Sequence, residues 1–294
     1  MKGGTPLAYT LHKQIKDNSV LRSSFFSLAK QVFDLTFAPW FQAGYWTQRY
    51  IPYVIAEEDT VAANASVNIM DTSWHGIFRR YIQIGTVMTA PAYRNQGLAR
   101  CLLETILYEW KEQCDCIYLF ANDSVLDFYP KFGFVPSQQY QYTMPVTCAA
   151  GDFKKLDMDC DSDRNLLKQC YQRSNPFAEL PMQNNYGLLM FYCGSFLKDC
   201  VYYSRALDMV CIASQEGSTL LCHDIYGAPT CTVQQVICRM AAPGTKQVQL
   251  GFTPKDTQGC ICSPIDSDET LFVLDGGENL FKDNYISFPE LSHA

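Results

Sequence analysis

One stretch of fourteen residues constrains this chain more than any other: Val87-Met88-Thr89-Ala90-Pro91-Ala92-Tyr93-Arg94-Asn95-Gln96-Gly97-Leu98-Ala99-Arg100. A β-rich run from Tyr81 to Thr89 leads into it. A helical pattern leads out, with apolar side chains at Leu98, Leu102, Leu103, Ile106, Leu107 and Trp110, ending near Gln113. Cys116 to Phe120 then forms a short all-apolar run suited to a buried central strand. Strand, loop, helix and strand in that order specify an α/β crossover. Arg94, Gly97 and Ala99 satisfy [Gln/Arg]-x-x-Gly-x-[Gly/Ala], with the glycine opening the helix. Successive backbone N–H groups there can converge on an anion, the helix dipole adds partial positive charge, and small residues admit a diphosphate to the main chain. The spacing alone also fits a helix start that binds nothing. The three flanking elements are what a cradle requires, and they leave the two readings evenly matched.

The elements around this stretch complete one layer. Val20 to Phe37 has helical apolar spacing. Pro39 and Pro52 keep the aromatic run Trp40 to Trp46 from being one continuous helix. Runs on either side of Glu57-Glu58-Asp59 form a hairpin, and a turn over Asp71 to Gly76 leads to the next strand, giving three antiparallel strands. A short helix from Ser124 is expected to stop at Tyr129 because of Pro130. Gln139 to Val146 is read as the strand that closes this unit.

The chain has 294 residues, about twice the commonest domain size, so two domains are expected, at 1–147 and 148–294, with one large domain as the alternative. Cys148 to Asp163 reads as a small, acidic linker. After it the element order partly repeats. There is a helix near Arg164 to Arg173 and strands at Val201 to Tyr203, Met209 to Ser214 and Thr219 to Asp224. A helix at Cys231 to Met240, a strand at Gln247 to Gly251 and a last strand near Leu271 to Leu274 follow.

Twenty-three basic against thirty acidic residues leave a net charge of −7, the wrong sign for a protein that tracks nucleic acid. The first residues hold no apolar signal core, and nowhere do eighteen apolar residues run unbroken, so no membrane association and a cytoplasmic location are expected. The fourteen cysteines lie mostly in apolar settings that suit free thiols. Cys114/Cys116 and Cys260/Cys262 have no partner pair at zinc spacing, so no metal is expected. The chain is read as a monomer or homodimer, with nothing to choose between them.

Residues 20 to 146 resemble a GNAT N-acetyltransferase. Val87 to Arg100 resembles the superfamily's pyrophosphate-binding motif. Asn122-Asp123-Ser124-Val125-Leu126-Asp127-Phe128-Tyr129-Pro130-Lys131-Phe132-Gly133-Phe134 resembles its later Asn…Phe-Tyr-x-Lys-x-Gly-Phe motif. The resemblance implies an α/β (α+β) fold: a mixed, mostly antiparallel, splayed sheet flanked by helices, followed here by a second, smaller GNAT-like α/β domain. It implies acetyl-CoA as cofactor. The main chain of Val87, Met88 and Thr89 would pair with pantetheine, and Arg94, Asn95, Gln96, Gly97, Leu98, Ala99 and Arg100 would wrap the diphosphate. Asn122 and Phe128 would lie by the pantetheine arm, and Tyr129 near the thioester sulfur.

Acetyl transfer to a small amine or a protein lysine needs an oxyanion stabiliser, which amides around Met88 can supply. It also needs a proton for the leaving thiolate, which Tyr129 can give. The third need is a base, and the family's usual glutamate position holds Gln83, which can only position a water. Asp71, His75 and a terminal carboxylate brought in by Phe288 to Ala294, as in tandem acetyltransferases of the Eis type, are the other candidates. Phe37, Trp40, Phe41, Tyr45, Trp46, Tyr50 and Tyr53 either shape an acceptor pocket or fill the core. The second half has no matching glycine motif, its counterpart being His223 to Pro229, and is expected to bind no coenzyme A. Two alternatives remain open: a non-catalytic acyl-CoA sensor, and an interaction protein without ligand.

Overall fold

A computed structural model describes residues 9–228 and 231–294; the expectations touching residues 1–5 and Pro229 fall outside these. The elements run in chain order β1 (Tyr9–Lys13), α1 (Ser19–Phe33), α2 (Ala38–Gln42), β2 (Tyr50–Glu57), β3 (Thr60–Trp74), β4 (Ile77–Thr89), α3 (Leu98–Trp110), β5 (Cys116–Asn122), β6 (Phe134–Ser137) and β7 (Tyr140–Pro145). Then come β8 (Lys154–Lys155), α4 (Asp161–Tyr171), β9 (Met182–Gln183), α5 (Tyr186–Phe191), β10 (Val201–Ser204), β11 (Met209–Glu216), β12 (Thr219–Gly227), α6 (Val233–Met240), β13 (Gln247–Leu250), β14 (Ile261–Pro264) and β15 (Glu269–Leu274).

Helix α1 begins at Asn18, whose Oδ1 accepts from the amides of Val20 and Leu21, both at 3.1 Å. It ends at Asp34 in the left-handed region, φ 57°. Its buried face is Leu21, Phe25, Leu28 and Ala29. Helix α3 buries Leu98, Leu102, Leu103 and Ile106 on the other face of the sheet, each worth roughly 2 kcal/mol of transfer free energy. These two helices sandwich the first sheet and fix where β4 and β5 lie.

The hairpin of β3 and β4 is longer than its sequence suggests. The turn is only His75-Gly76, both with positive φ (49° and 79°), and Asp71, read as a turn residue, lies inside β3 opposite Arg80. A carboxylate is tolerated there because Arg80 Nε donates to it at 2.8 Å and Arg49 Nη2 lies 2.6 Å away. The residues following Asn122 also differ from expectation. Asp123–Val125 and Tyr129–Phe132 are two 3-10 turns in place of one helix, and Pro130 sits in the first turn of the second, where it needs no N–H.

The first sheet has the order β1-β2-β3-β4-β5-β15-β6, with β9 paired to β3; the second has β14-β7-β13-β12-β11-β10-β8. Each contains three antiparallel strands, a crossover helix and a parallel strand: β2, β3, β4, α3, β5 in one and β10, β11, β12, α6, β13 in the other. The second sheet takes one strand, β7, from the first half, and the first takes β15 and the two-residue β9 from the second. Strand β7 lies between β13 and β14, so Gln139 to Val146 does not close the first sheet; β15, from near the end of the chain, does, between β5 and β6. Side-chain alternation fixes which residues face a core but not which sheet a strand joins.

Candidate active site

Strands β4 and β5 pair from Tyr81↔Cys116 to Ile84↔Leu119, and beyond Ile84 no pairing between them continues among the described residues. On its other edge β4 slips register: Gly85 faces Ser66 and Met88 faces Asn64, leaving Thr86 and Val87 as a bulge. Thr86 sits at φ 49°, a conformation costing a β-branched residue on the order of 1–2 kcal/mol. A buried network holds it there. Asn64 Nδ2 donates to the Thr86 carbonyl at 2.8 Å, Ser66 Oγ donates to the Tyr50 hydroxyl at 3.0 Å, and that hydroxyl lies 3.1 Å from Thr86 Oγ1. Burial pushes the Tyr50 phenol up to about 12 against its two hydroxyl partners, so the network stays neutral. Val87, Met88 and Thr89 therefore present a free strand edge to the gap.

The loop that follows leads straight to the mouth of α3. Arg94, Asn95 and Gln96 are exposed, Asn95 has φ 62° and Gly97 φ 79°. Gly97 caps α3 without any side-chain hydrogen bond, and a β-carbon placed on it would meet nothing within 4 Å. The first-turn amides of Leu98, Ala99 and Arg100 have no hydrogen-bond acceptor among the described residues. Gln96 Oε1 accepts from Tyr9 OH at 2.6 Å and Tyr93 OH donates to Glu57 at 2.7 Å, tying the loop to β1 and β2. Arg94 Nε reaches the Thr89 carbonyl at 3.4 Å. The Arg100 side chain turns the other way, donating to Glu104 at 3.4 Å with its guanidinium over Phe132.

Across the gap, Asn122 ends β5 and its Oδ1 accepts from Ser124 N at 3.1 Å. Phe128, half-buried, packs edge-on against Tyr129 at 5.3 Å. Tyr129 is buried against Phe134 and Phe272, the latter from the exchanged strand β15. Burial raises its phenol to about 12, so it holds its proton throughout the neutral range.

Of the candidate bases, Gln83 is buried, faces Asn68 across the β3–β4 pair, and its Oε1 has no hydrogen-bond partner among the described residues. Asn68 Nδ2 is likewise without a partner. Asp71 is excluded by distance and by its partners. Its neighbour Arg80 lies five residues before Gly85, roughly 17 Å along the strand. Burial works to raise its carboxyl, but the hydrogen bonds and charges of Arg80 and Arg49 outweigh this and hold it below the usual range. His75 is an exposed turn residue 3.7 Å from Glu179.

The tail passes between the halves. His293 stacks on Phe120 at 3.9 Å, and its carbonyl accepts from Tyr192 OH at 2.8 Å. Ala294 then reaches the bulge, where a β-carbon on Gly85 would stand 2.1 Å from the Ala294 carbonyl oxygen. Beside it is a chamber of about 50 Å³ whose wall includes Phe37, Trp40, Tyr50, Thr86, Leu188 and Phe191. A cleft of about 560 Å³ lined in part by α4 and α5 shares Trp40 and Phe191 with it. Trp40 Nε1 donates to the Gly187 carbonyl at 2.6 Å, fastening α2 to α5. Of the aromatic run, Phe37, Trp40 and Tyr50 line the chamber, whereas Phe41, Tyr45 and Trp46 pack with the surrounding apolar residues and Tyr53 belongs to the core beneath α3.

The corresponding place in the second sheet is more fully occupied by the chain's own hydrogen bonds. Helix α6 has a capping box, with Gln235 N donating to Thr232 Oγ1 at 3.3 Å and Thr232 N to Gln235 Oε1 at 3.0 Å, so its orphan amides are partly used. Beyond Cys222 the edge of β12 is engaged: Gly251 N donates to the Cys222 carbonyl, Glu290 N to the Gly251 carbonyl, and Glu290 Oε1 lies 2.9 Å from His223 Nδ1, with a cavity of about 240 Å³ alongside that Leu250, Gly251 and Glu290 help to line. No cluster of potential metal ligands occurs among the described residues. Nor is any helix there long and apolar enough to cross a membrane.

The sequence reading missed the Asn64–Tyr50–Ser66–Thr86 network, because a positive φ inside an apolar strand leaves no periodicity signal. It also missed α5, whose apolar run Tyr186–Phe191 is too short to show a helical period.

A β-bulge, a parted pair of strands and a helix N-terminus thus meet at one place in the first sheet, and comparison with known proteins gives the class. Residues 21–134 match the acetyltransferase (GNAT) family, and the chain carries a domain of that family there. A protein of unknown function from Enterococcus faecalis, a probable N-acyltransferase, is similar at TM-score 0.63 and 15% identity, over 90% of this chain and 72% of that one. Eis1 from Mycobacterium abscessus is similar at TM-score 0.56 and 13% identity, over 91% and 74%. A GCN5-related N-acetyltransferase from Kribbella flavida is similar at TM-score 0.54 and 12% identity, over 90% and 71%. These likenesses concern the fold, and they extend across both sheets. None of the curated proteins compared matches the chain.

Proposed function

We propose that this protein is an acetyl-CoA-dependent N-acyltransferase that passes an acetyl group to a primary amine by direct attack on the thioester. In this reading 148–294 is a degenerate GNAT-like domain that binds no coenzyme. The observation that carries the reading is the N-terminus of α3 at Gly97, which has no side-chain cap and is set at the open end of the β4–β5 gap, while its counterpart α6 carries a capping box that engages the amides of Thr232 and Gln235.

The residues present suit the coenzyme. Amides of Gly97, Leu98, Ala99 and Arg100, with Asn95 and Gln96 in the loop, would hold the diphosphate, and Arg94 would neutralise part of its charge. The free edge of Val87 to Thr89 would pair with the pantetheine amides, with Asn122 and Phe128 along the arm. Acetyl-CoA supplies an activated acyl group and a thiolate leaving group. An amide near Met88 stabilises the oxyanion that develops on the acyl carbonyl. Tyr129 would give its proton to the departing sulfur; burial keeps the phenol protonated at neutral pH while making it a weaker acid than an exposed tyrosine.

An alkylammonium loses its proton at about 10.4, so presenting the free amine at neutral pH costs about 4 kcal/mol without a base. Gln83 holds a water rather than taking the proton itself.

Thiol release from acetyl-CoA across an amine panel tests the whole reading. Turnover by the wild type and its loss in Tyr129→Phe are expected. Gln83 in place of an acid favours a second reading, a sensor that binds acyl-CoA without transfer. A rise in Tm with coenzyme A but no turnover on any amine would establish that reading instead.

A further inference from the structure

We infer that the acceptor is an amine borne on a short, uncharged aliphatic group, and that the second half of the chain selects it through the chamber beside Thr86. The inference rests on the acyl-transfer reading of the site.

The chamber lies where an acceptor must approach, next to the bulge that carries the free edge of β4. Its size of about 50 Å³ holds roughly three to five non-hydrogen atoms at about 10–15 Å³ for each water-sized group. The rings of its wall are fixed by one another. Phe37 stacks on Phe191 at 5.3 Å, and Trp40 meets Phe191 edge-on at 5.8 Å, so the space is formed before a ligand arrives. Leu188 and Phe191 belong to α5, so the second half builds one side of the wall.

The electrostatics separate a neutral tail from a charged one. No acidic side chain lines the chamber. A second ammonium on the acceptor would lose its hydration against aromatic rings, whose cation–π attraction is weaker than the hydration it replaces. The outer cleft does not favour polycations either. Its Asp161 is paired with Arg164 and its Asp159 with Lys198, while Lys168 lies over the Tyr186 ring at 5.8 Å. Asn68 Nδ2, buried, on a residue of the chamber wall and without a partner among the described residues, is a side-chain donor available to a polar atom near the reacting nitrogen.

Butylamine and 1,4-diaminobutane have the same carbon chain and differ by one ammonium. Steady-state thiol release by the full chain with each should give kcat/KM at least about tenfold higher for butylamine. Thr47→Asp places a carboxylate at the exposed rim of the chamber, and it should narrow or invert that ratio. Phe191→Ala should shift the preferred chain length toward hexylamine. Equal or better use of the diamine by the wild type, or a ratio unmoved by Thr47→Asp, overturns the inference and leaves the transferase reading standing. Turnover of neither amine also overturns it. In that case a rise in Tm with coenzyme A shows that the cofactor site survives, and no rise shows that both readings fail.

Discussion

Ala294 occupies the space a side chain would need at Gly85: its carbonyl oxygen and carbon lie 2.1 Å and 2.8 Å from where a β-carbon would stand. The last residues are thereby packed into the bulge of the strand that the coenzyme is proposed to pair with. Gly85→Ala sets one backbone against another, and neither can yield by a rotamer change, so the tail must move at a cost of about 1–3 kcal/mol. The expected outcome is a fall of at least about tenfold in amine-dependent thiol release with coenzyme A still raising Tm. Thiol-release kinetics and thermal melts on the variant check it.

Gly97 adopts φ 79° with open space before it. Gly97→Val strains the backbone by about 1–2 kcal/mol and puts a branched side chain at the mouth of α3. Gly259, at φ 78° with nothing within 4 Å, is an exposed site of the same strain far from the cradle. Gly97→Val and Gly259→Val should lose similar stability, while only the first weakens coenzyme A binding, as read by titration calorimetry.

How much of this was legible in the sequence depends on whether the deciding forces are local. Gly97 opening a helix, the apolar face of α3 and the buried strand after it are encoded within a few residues of one another, and they appear in the structure as read. Asp71 looked like a turn residue because its neutralising partners, Arg49 and Arg80, are brought to it only by pairing with strands on both sides of β3. The exchange of β7 and β15 is less local still. Leu271, Phe272 and Val273 read as a buried strand, but only the gap between β5 and β6 decides where they are buried. The positive φ of Thr86 depends on Asn64 and Tyr50, which are distant in sequence.

Tyr129 makes no hydrogen bond through its hydroxyl among the described residues, and burial alone raises it to about 12. Tyr129→Phe should therefore leave Tm nearly unchanged while lowering kcat about 10²-fold. Because the phenol stays protonated to about 12, it should contribute no fall in rate between pH 7 and about 10. A pH–rate profile of the wild type, read beside kcat for the variant, tests both statements.

Two buried groups give stability opposite slopes with pH. Burial raises the Asp224 carboxyl to about 6 against hydrogen bonds from Tyr226, the Ile225 amide and Asn175. The folded chain then holds a proton that an unfolded Asp, near about 3.9, has released, so stability falls as pH rises from about 4 to about 6. Burial lowers His293 to about 4. Its stabilising effect is full above the unfolded value of about 6.5 and is lost as pH falls toward about 4. His293 keeps some exposure toward the cavity it lines, so its contribution is the smaller. Asp224→Asn should make stability rise with pH between about 4 and 6.5, and His293→Phe should make it fall. Urea midpoints across that range, in which each group contributes at most about 1.4 kcal/mol per pH unit, distinguish the two.

The most direct test is backbone amide hydrogen exchange with and without coenzyme A. Slowed exchange at Val87 to Thr89 and at Gly97 to Arg100, with none between His223 and Val236, is the expected result. Protection confined to the second sheet, or no protection anywhere in protein shown to be folded, would contradict the assignment of the coenzyme to the mouth of α3.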